Sequence, residues 1–290
     1  MNATTQQALT SYIHKSCGIT LGPEKAYLLE QRLIPLLPEL GFADLDRLAT
    51  QLASSQSQNS SVREKIIVAI TTNETSFFRD ETPWAALQEA FLPELCLRIQ
   101  DRKARVPQRR GAKARIWSAA CSTGQEPYTL AITIQEYLRS HPRELARADD
   151  FEIVATDISS RVLSKALLGR YSSIELARGI IPAMRKQYFE AQGNDMFQAN
   201  ADLRRMIDFR SLNLMNDFSH LGAFDAIFCR NVLIYFDEPA KQKILATMHS
   251  MLDPKGILVL GSAENLYGLK SGYQSVHVSG SVHYRLIDDK

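Results

Sequence analysis

The sequence lacks the marks of a metal site, a disulfide framework or a membrane segment. Its four cysteines (Cys17, Cys96, Cys121 and Cys229) are scattered, with no C-x-x-C pair. They read as reduced thiols, not as a disulfide frame or a thiolate zinc site. The six histidines also lack ligand spacing, so no metal is expected. No stretch approaches the ~20 apolar residues needed to cross a bilayer. Met1 to Thr10 is polar, without the basic start and apolar run of a secretory leader. A cytoplasmic location without direct membrane insertion is therefore expected. Charge of one sign is missing too: 34 basic residues face 32 acidic ones, for a net charge of +2. That balance gives no bulk case for nucleic-acid binding. No sustained heptad seam occurs, and a monomer is expected.

What is present is enough to build one large domain or two unequal ones. The 290 residues are 45% hydrophobic and 23% charged. Residues 1–72 read as all-helical. From Glu24 to Leu40, Leu28, Leu29, Leu33, Leu36 and Leu37 recur at helical spacing, with Pro23 to open the helix and Gly41 to close it. Asp44–Leu52 and Val62–Ile70 read as further helices. Ser54–Ser61, rich in Ser, Gln and Asn, reads as a loop.

From residue 114 the rhythm changes. Strand candidates at Ala114–Ala120, Phe151–Thr156, Met206–Ser211, Phe224–Cys229 and Gly256–Gly261 alternate with helical patterns at Pro127–Ser140, Ser160–Leu168 and Glu238–Leu252. This alternation predicts an α/β fold, a doubly wound and mostly parallel sheet with helices on both faces. Gln274–Ile287 predicts a hairpin that adds an antiparallel edge. Residues 73–113 link the two parts, and the stretch of about 170–210 is too long for a plain connection, so an inserted subdomain is expected there. The basic run from Arg98 to Arg115 reads either as a solvated linker or as an anion-contacting arm.

Two segments carry chemistry. Asn73-Glu-Thr-Ser-Phe-Phe-Arg-Asp80 mixes an amide, two hydroxyls and an arginine with two adjacent phenylalanines, a composition suited to a pocket wall. The first sheet strand runs into a small-residue turn, Ser118 to Gly124, at the place where doubly wound folds bind ligands. The turn is not G-x-G-x-x-G, which disfavours a dinucleotide. A nucleotide-type cofactor is expected, although a bare βα turn needs the same small residues. Asp157, at the end of the second strand, can accept a ribose diol or cap the next helix. Glu126 can cap its helix or meet the positive part of a ligand. Asn213 and Leu214 can frame an adenine edge and face, or form a simple turn. Arg230 and Asn231 leave a buried strand, where unpaired polarity is costly. Tyr235 can project its hydroxyl into the cleft or sit in the core.

Taken in order, NETSFFRD, AACSTGQEPY, the ATDIS strand end, FDAIFCRNVLIYF and LDPKGILVLGSAENL resemble the chemotaxis receptor glutamate methyltransferases (CheR-type) over nearly the whole chain. The resemblance implies a class I methyltransferase-like domain over 114–290 behind a helical N-terminal domain. It also implies S-adenosylmethionine as cofactor, S-adenosylhomocysteine as product, and glutamates of chemoreceptor cytoplasmic helices as substrate. Asn73, Thr75, Arg79, Glu126, Asp157, the Asn213-Leu214 pair and the Arg230-Asn231 pair match the family's cofactor-contacting positions. Arg79 and Tyr235 match the arginine and tyrosine that flank the transferable methyl group. Lys25, Arg32, Arg63 and Lys65 are candidates to grip the acidic receptor surface, with solubilising charge as the alternative. The insert corresponds to a small β-subdomain that docks a receptor C-terminal peptide in some members. Here Phe189 to Leu203 reads as shorter and lacks their glycine-rich turn, so independence from such a tether is expected.

Two rivals stand beside this reading. A nucleic-acid methyltransferase would be expected to carry an Asn/Asp-Pro-Pro-aromatic run, and Arg230-Asn231-Val-Leu stands in its place. A non-catalytic cofactor sensor is disfavoured by the presence of both Arg79 and Tyr235.

Overall fold

The computed structural model describes residues 1–54, 60–105, 113–269 and 271–287. The N-terminal region is helical. Asn2 caps the Ala3–Cys17 helix by accepting the Thr5 N–H at 2.8 Å, and Gly18, at φ 75°, ends it. Asp44 caps Leu45–Ala53 in the same way through Arg47 N–H at 2.7 Å. These helices and Ser60–Ile70 share a core that includes Leu9, Ile13, Leu29, Leu33, Leu48 and Ile66. The single helix expected over 24–40 is instead broken into a 3-10 turn at Pro23–Lys25, a helix at Ala26–Leu33, a second 3-10 turn at Ile34–Leu36 and a last turn at Leu37–Leu40. Pro35 and Pro38 each remove an N–H donor and crowd the preceding turn, so the apolar stripe continues while the regular ladder does not. Most of the loop expected at 54–61 lies outside the described residues.

Among the described residues ten strands follow: β1 Ala114–Ala119, β2 Phe151–Asp157, β3 Arg170–Ser172, β4 Phe189–Gly193, β5 Met196–Ala199, β6 Ile207–Ser211, β7 Phe224–Cys229, β8 Leu252–Leu260, β9 Tyr273–Val278 and β10 Ser281–Leu286. Seven form one sheet in the order β6-β2-β1-β7-β8-β10-β9. The first five are parallel, and β10 and β9 add the antiparallel edge. Strand alternation divides the core between the two faces. Ile116, Ile153, Ala226 and Phe228 pack on one side, and Trp117, Val154 and Ile227 on the other. Because β1 is flanked by β2 on one side and β7 on the other, the strand order reverses there. A crevice opens at the carboxyl ends of these strands.

The insert is a small antiparallel sheet, β3-β5-β4. It packs on the linker through aromatic edges: Phe77 lies 5.0 Å from Tyr171 and 5.7 Å from Phe189 between ring centroids.

The basic stretch is neither a linker nor an anion arm where it is described. Arg98 and Arg102 lie on the Leu92–Arg105 helix and pair with Asp225 and Asp253 at 2.6–3.5 Å. Arg115, in β1, pairs with Glu152 at 3.2 Å and donates to the Leu221 and Ala223 carbonyls. The Asp225 side chain is only 4% exposed, and a carboxylate so buried needs counter-charge. Arg109 and Arg110 lie outside the described residues. No described helix is long and apolar enough to cross a membrane.

Candidate active site

A deep cavity occupies the crevice, with strand ends below and the helical region above. All ten site residues singled out from the sequence line it. The floor is electrostatic. Arg230 leaves the end of β7 with its side chain only 1% exposed. Its Nη1 donates to Glu126 Oε2 at 3.1 Å, and its Nη2 to Asp80 Oδ2 at 2.9 Å and to the Arg79 carbonyl at 2.8 Å. The guanidinium also lies 5.2 Å over the Trp84 ring. Glu126 Oε1 accepts the Ser118 hydroxyl at 2.7 Å. Burial raises the Glu126 pKa, opposed by the Arg230 charge and the Ser118 hydrogen bond.

Asp157 ends β2 and ties down two turns. Its Oδ2 accepts Ser122 N–H at 2.8 Å and its Oδ1 accepts Ser159 N–H at 2.9 Å. Ser159 itself is the helix N-cap, so Asp157 supports that helix without capping it directly. Burial raises the Asp157 pKa, while these backbone donors pull it down. With Ile158 N–H as a third backbone donor, the carboxylate still has acceptor capacity for a further donor. Ser122, in the small-residue turn, donates its hydroxyl to the Asn73 carbonyl at 2.9 Å, joining the turn to the pocket-wall segment. Gly124 stands at φ 94°, in the left-handed region that favours glycine. The Tyr171 hydroxyl in the small sheet donates to the Thr123 carbonyl at 2.8 Å, so the insert also braces this turn.

The Asn213 side chain has partners on both ends: Nδ2 donates to the Ser16 carbonyl at 2.8 Å and Oδ1 accepts Met215 N–H at 3.0 Å. It links the sheet to the helical region, leaving Leu214, Ile158 and Leu212 as the apolar wall beside it. Arg79 is half-buried, and among the described residues its guanidinium makes one hydrogen bond, to the Glu74 carbonyl at 3.2 Å. Tyr235 is also half-buried, and nothing among the described residues bonds its hydroxyl. The helical region holds the Tyr235 backbone: Thr20 N–H donates to its carbonyl at 2.9 Å, beside a bridge between Ile19 and Phe236.

Of the four basic residues expected to grip a receptor, three have partners inside the molecule. Arg32 donates to the Ile70 and Thr71 carbonyls, Arg63 to the Ser16 carbonyl at 2.9 Å, and Lys65 pairs with Glu39 at 3.0 Å. Helix ends and loops supply carbonyls that a nearby guanidinium satisfies, which draws the half-buried Arg32 and one nitrogen of the exposed Arg63 onto the helical region. Lys25 is exposed at the cavity mouth.

Sequence reading missed Asp80 and Glu264. Glu264 accepts backbone N–H groups from the Asn231 turn. Neither is signalled locally, because each is defined by a partner more than thirty residues away.

Two family profiles divide the chain. One, described as the CheR methyltransferase all-alpha domain, matches residues 6–71; the other, the CheR methyltransferase SAM binding domain, matches residues 73–281. The chain belongs to the CheR methyltransferase family. It is 39% identical over 274 residues to chemotaxis protein methyltransferase 1 of Pseudomonas aeruginosa, covering 94% of both chains. Its identity to chemotaxis protein methyltransferase 1 of Vibrio cholerae is 38% over 275 residues, covering 95% of this chain and 94% of that one. With the chemotaxis protein methyltransferase of Salmonella typhimurium it shares 33% over 282 residues, covering 96% and 88%. The cofactor of this CheR-family methyltransferase is S-adenosylmethionine. The cavity lining fits it: two carboxylates, Glu126 with a small exposed edge and the buried Asp157, suit an ammonium and a ribose diol, and the Ile158–Leu214 wall suits an adenine face.

Proposed function

We propose that the chain is a protein-glutamate O-methyltransferase acting in the cytoplasm, as a monomer, on γ-carboxylates of chemoreceptor helices. The observation that carries this reading is the pairing of Arg79 and Tyr235 in one cavity, both half-buried and both with unused hydrogen-bonding capacity. When bound, S-adenosylmethionine supplies an electrophilic methyl group on a sulfonium centre.

The chain's own residues bind and orient. Glu126 receives the ammonium end, Asp157 the ribose hydroxyls, and Leu214 with the Asn213 backbone the adenine. Asn73 and Thr75 line the opposite wall, and Asn231 closes the site at the end of β7. Arg230 holds Glu126 and the Arg79 carbonyl in place, a supporting role rather than a direct reach to the cofactor. Arg79 orients the acceptor carboxylate by charge, and Tyr235 steers it by a hydrogen bond. A glutamate with a reference pKa of about 4.3 arrives ionised at neutral pH and needs no general base. That fits a cavity lined by no histidine among the described residues. Positioning in a dry cleft then supplies most of the acceleration, an effect worth up to roughly 7–11 kcal/mol.

Lys25 at the cavity mouth suits an acidic helix surface. We retain independence from a receptor-tail tether, since the β4–β5 turn at Gly193-Asn194-Asp195 carries a single glycine. Titration with a receptor tail peptide tests this, and micromolar affinity would overturn it. The principal test is a methyl-labelled cofactor incubated with purified receptor. A base-labile ester on the receptor is expected; label in nucleic acid, or none, defeats the proposal.

A further inference from the structure

Strands β7 and β8 lie side by side, and β7 ends at the cavity. Glu264, just past β8, joins the two ends. Its Oε2 accepts Asn231 N–H at 2.6 Å and Gly261 N–H at 2.8 Å, and its Oε1 accepts Ile234 N–H at 3.3 Å. Asn231 stands in left-handed backbone at φ 59°, a conformation uncommon for non-glycine residues that asparagine tolerates better than most. Ile234 lies in the one-turn 3-10 segment Leu233–Tyr235, and the first N–H groups of such a turn have no partner within it. Gly261 leaves the room this needs: a Cβ there would stand 2.6 Å from Asn231 Nδ2 and 2.8 Å from Glu264 Oε2. The far end of the same segment is held by Thr20 N–H on the Tyr235 carbonyl.

We infer that Glu264 is the positioning residue for the Asn231–Tyr235 turn: one carboxylate, through three backbone hydrogen bonds, sets the conformation that presents the Tyr235 side chain to the cavity. The inference rests on the role proposed for Tyr235. A carboxylate suits the task. It offers acceptor sites on both oxygens, and charge-assisted bonds are about twice as strong as neutral ones. Glutamine has nearly the same shape, but it replaces one acceptor oxygen with an NH2 donor that would face the same backbone N–H groups.

The test combines a readout independent of turnover with a mutant cycle. In Glu264→Gln, hydrogen exchange of the Asn231 and Ile234 amides, followed without cofactor, should rise at least about tenfold. In the methylation assay, Glu264→Gln should lower kcat by up to about fivefold in the wild-type background, the loss expected for Tyr235→Phe itself, but less than about twofold in a Tyr235→Phe background, because the two residues act through one geometry. Glu264→Asp serves if the glutamine variant does not fold. It keeps the charge, is too short to reach all three N–H groups, and should give a smaller change in the same direction. Unchanged exchange at both amides overturns the inference, as does an equal fold-loss in the two backgrounds. If Tyr235→Phe alone keeps wild-type turnover, the role proposed for Tyr235 fails, and amide exchange alone decides whether Glu264 holds the turn.

Discussion

Arg230 and Glu126 meet at 3.1 Å beneath the cofactor cavity, and neither side chain has more than a small edge in water. Asp80 shares the same guanidinium. A buried charge set of this kind costs much to break from one side, because the remaining charges lose their compensation. Arg230→Met should lower the unfolding free energy by about 3 kcal/mol. The double change Arg230→Met with Glu126→Gln should recover part of that loss. Urea unfolding of the three proteins checks both expectations.

Arg79 and Tyr235 are half-buried and, among the described residues, hold nothing structural through their side-chain ends beyond one hydrogen bond from Arg79 to the Glu74 carbonyl. Trp84 bonds the Arg79 carbonyl, which any substitution keeps. Both Arg79→Ala and Tyr235→Phe should therefore melt within a few degrees of the wild type. Activity should separate them. Losing a preorganised cationic donor costs on the order of 10²–10³ in kcat. Removing one neutral hydrogen bond of about 1 kcal/mol costs roughly fivefold. Wild-type turnover in Arg79→Ala would end the assignment.

Gly179 stands at φ 119°, and a Cβ placed there would lie 2.0 Å from the Phe77 carbonyl oxygen. Backbone cannot yield as a flexible side chain does. Gly179→Ala should destabilise the protein by more than about 2 kcal/mol. It should also weaken S-adenosylmethionine binding, because Phe77 belongs to the segment that carries Thr75 and Arg79. Calorimetric titration beside a thermal melt separates the two effects.

His283 sits buried in β10 against Phe91, and burial, aided by the positive charge of Arg285, lowers its pKa from 6.5 to about 4. The folded chain thus keeps the ring neutral, whereas the unfolded chain protonates it below pH 6.5. Its contribution to stability is complete above pH 6.5 and is lost as pH falls towards 4. The loss is on the order of 3 kcal/mol. Wild type should therefore lose stability relative to His283→Leu as pH falls through that window, read from their denaturation midpoints, and an NMR titration should find the imidazole neutral at pH 5.

Much of this was legible from local pattern. The strands of the sheet announce themselves because period-2 burial on two apolar faces leaves continuous Val, Ile, Ala and Phe runs. β7 and the Ser160–Leu168 helix fall where expected to the residue. Nine of the ten site residues were legible because their polarity falls at strand ends or amid aromatics, and Leu214 by its place beside Asn213; all ten line one cavity. What the sequence hid is tertiary. Nothing near Arg98 or Arg102 says that Asp225, more than a hundred residues later, waits as their partner. Asp80 and Glu264 look like surface acids until the chain brings Arg230 and the Asn231 N–H to them. The prolines at 35 and 38 were visible, yet the leucine stripe outweighed them, because a stripe survives interruption of the hydrogen-bond ladder whereas a regular helix does not.

The bridge from Ile19 and Thr20 to Tyr235 and Phe236, with Asn213 reaching the Ser16 carbonyl, bears on how chimeras of related enzymes should be cut. A junction at residue 72 divides the polypeptide neatly but severs a seam that passes beside the tyrosine. Exchanging helical halves between homologues would therefore perturb chemistry as well as target choice, unless residues 16–20, 213–215 and 235–237 travel as one matched set.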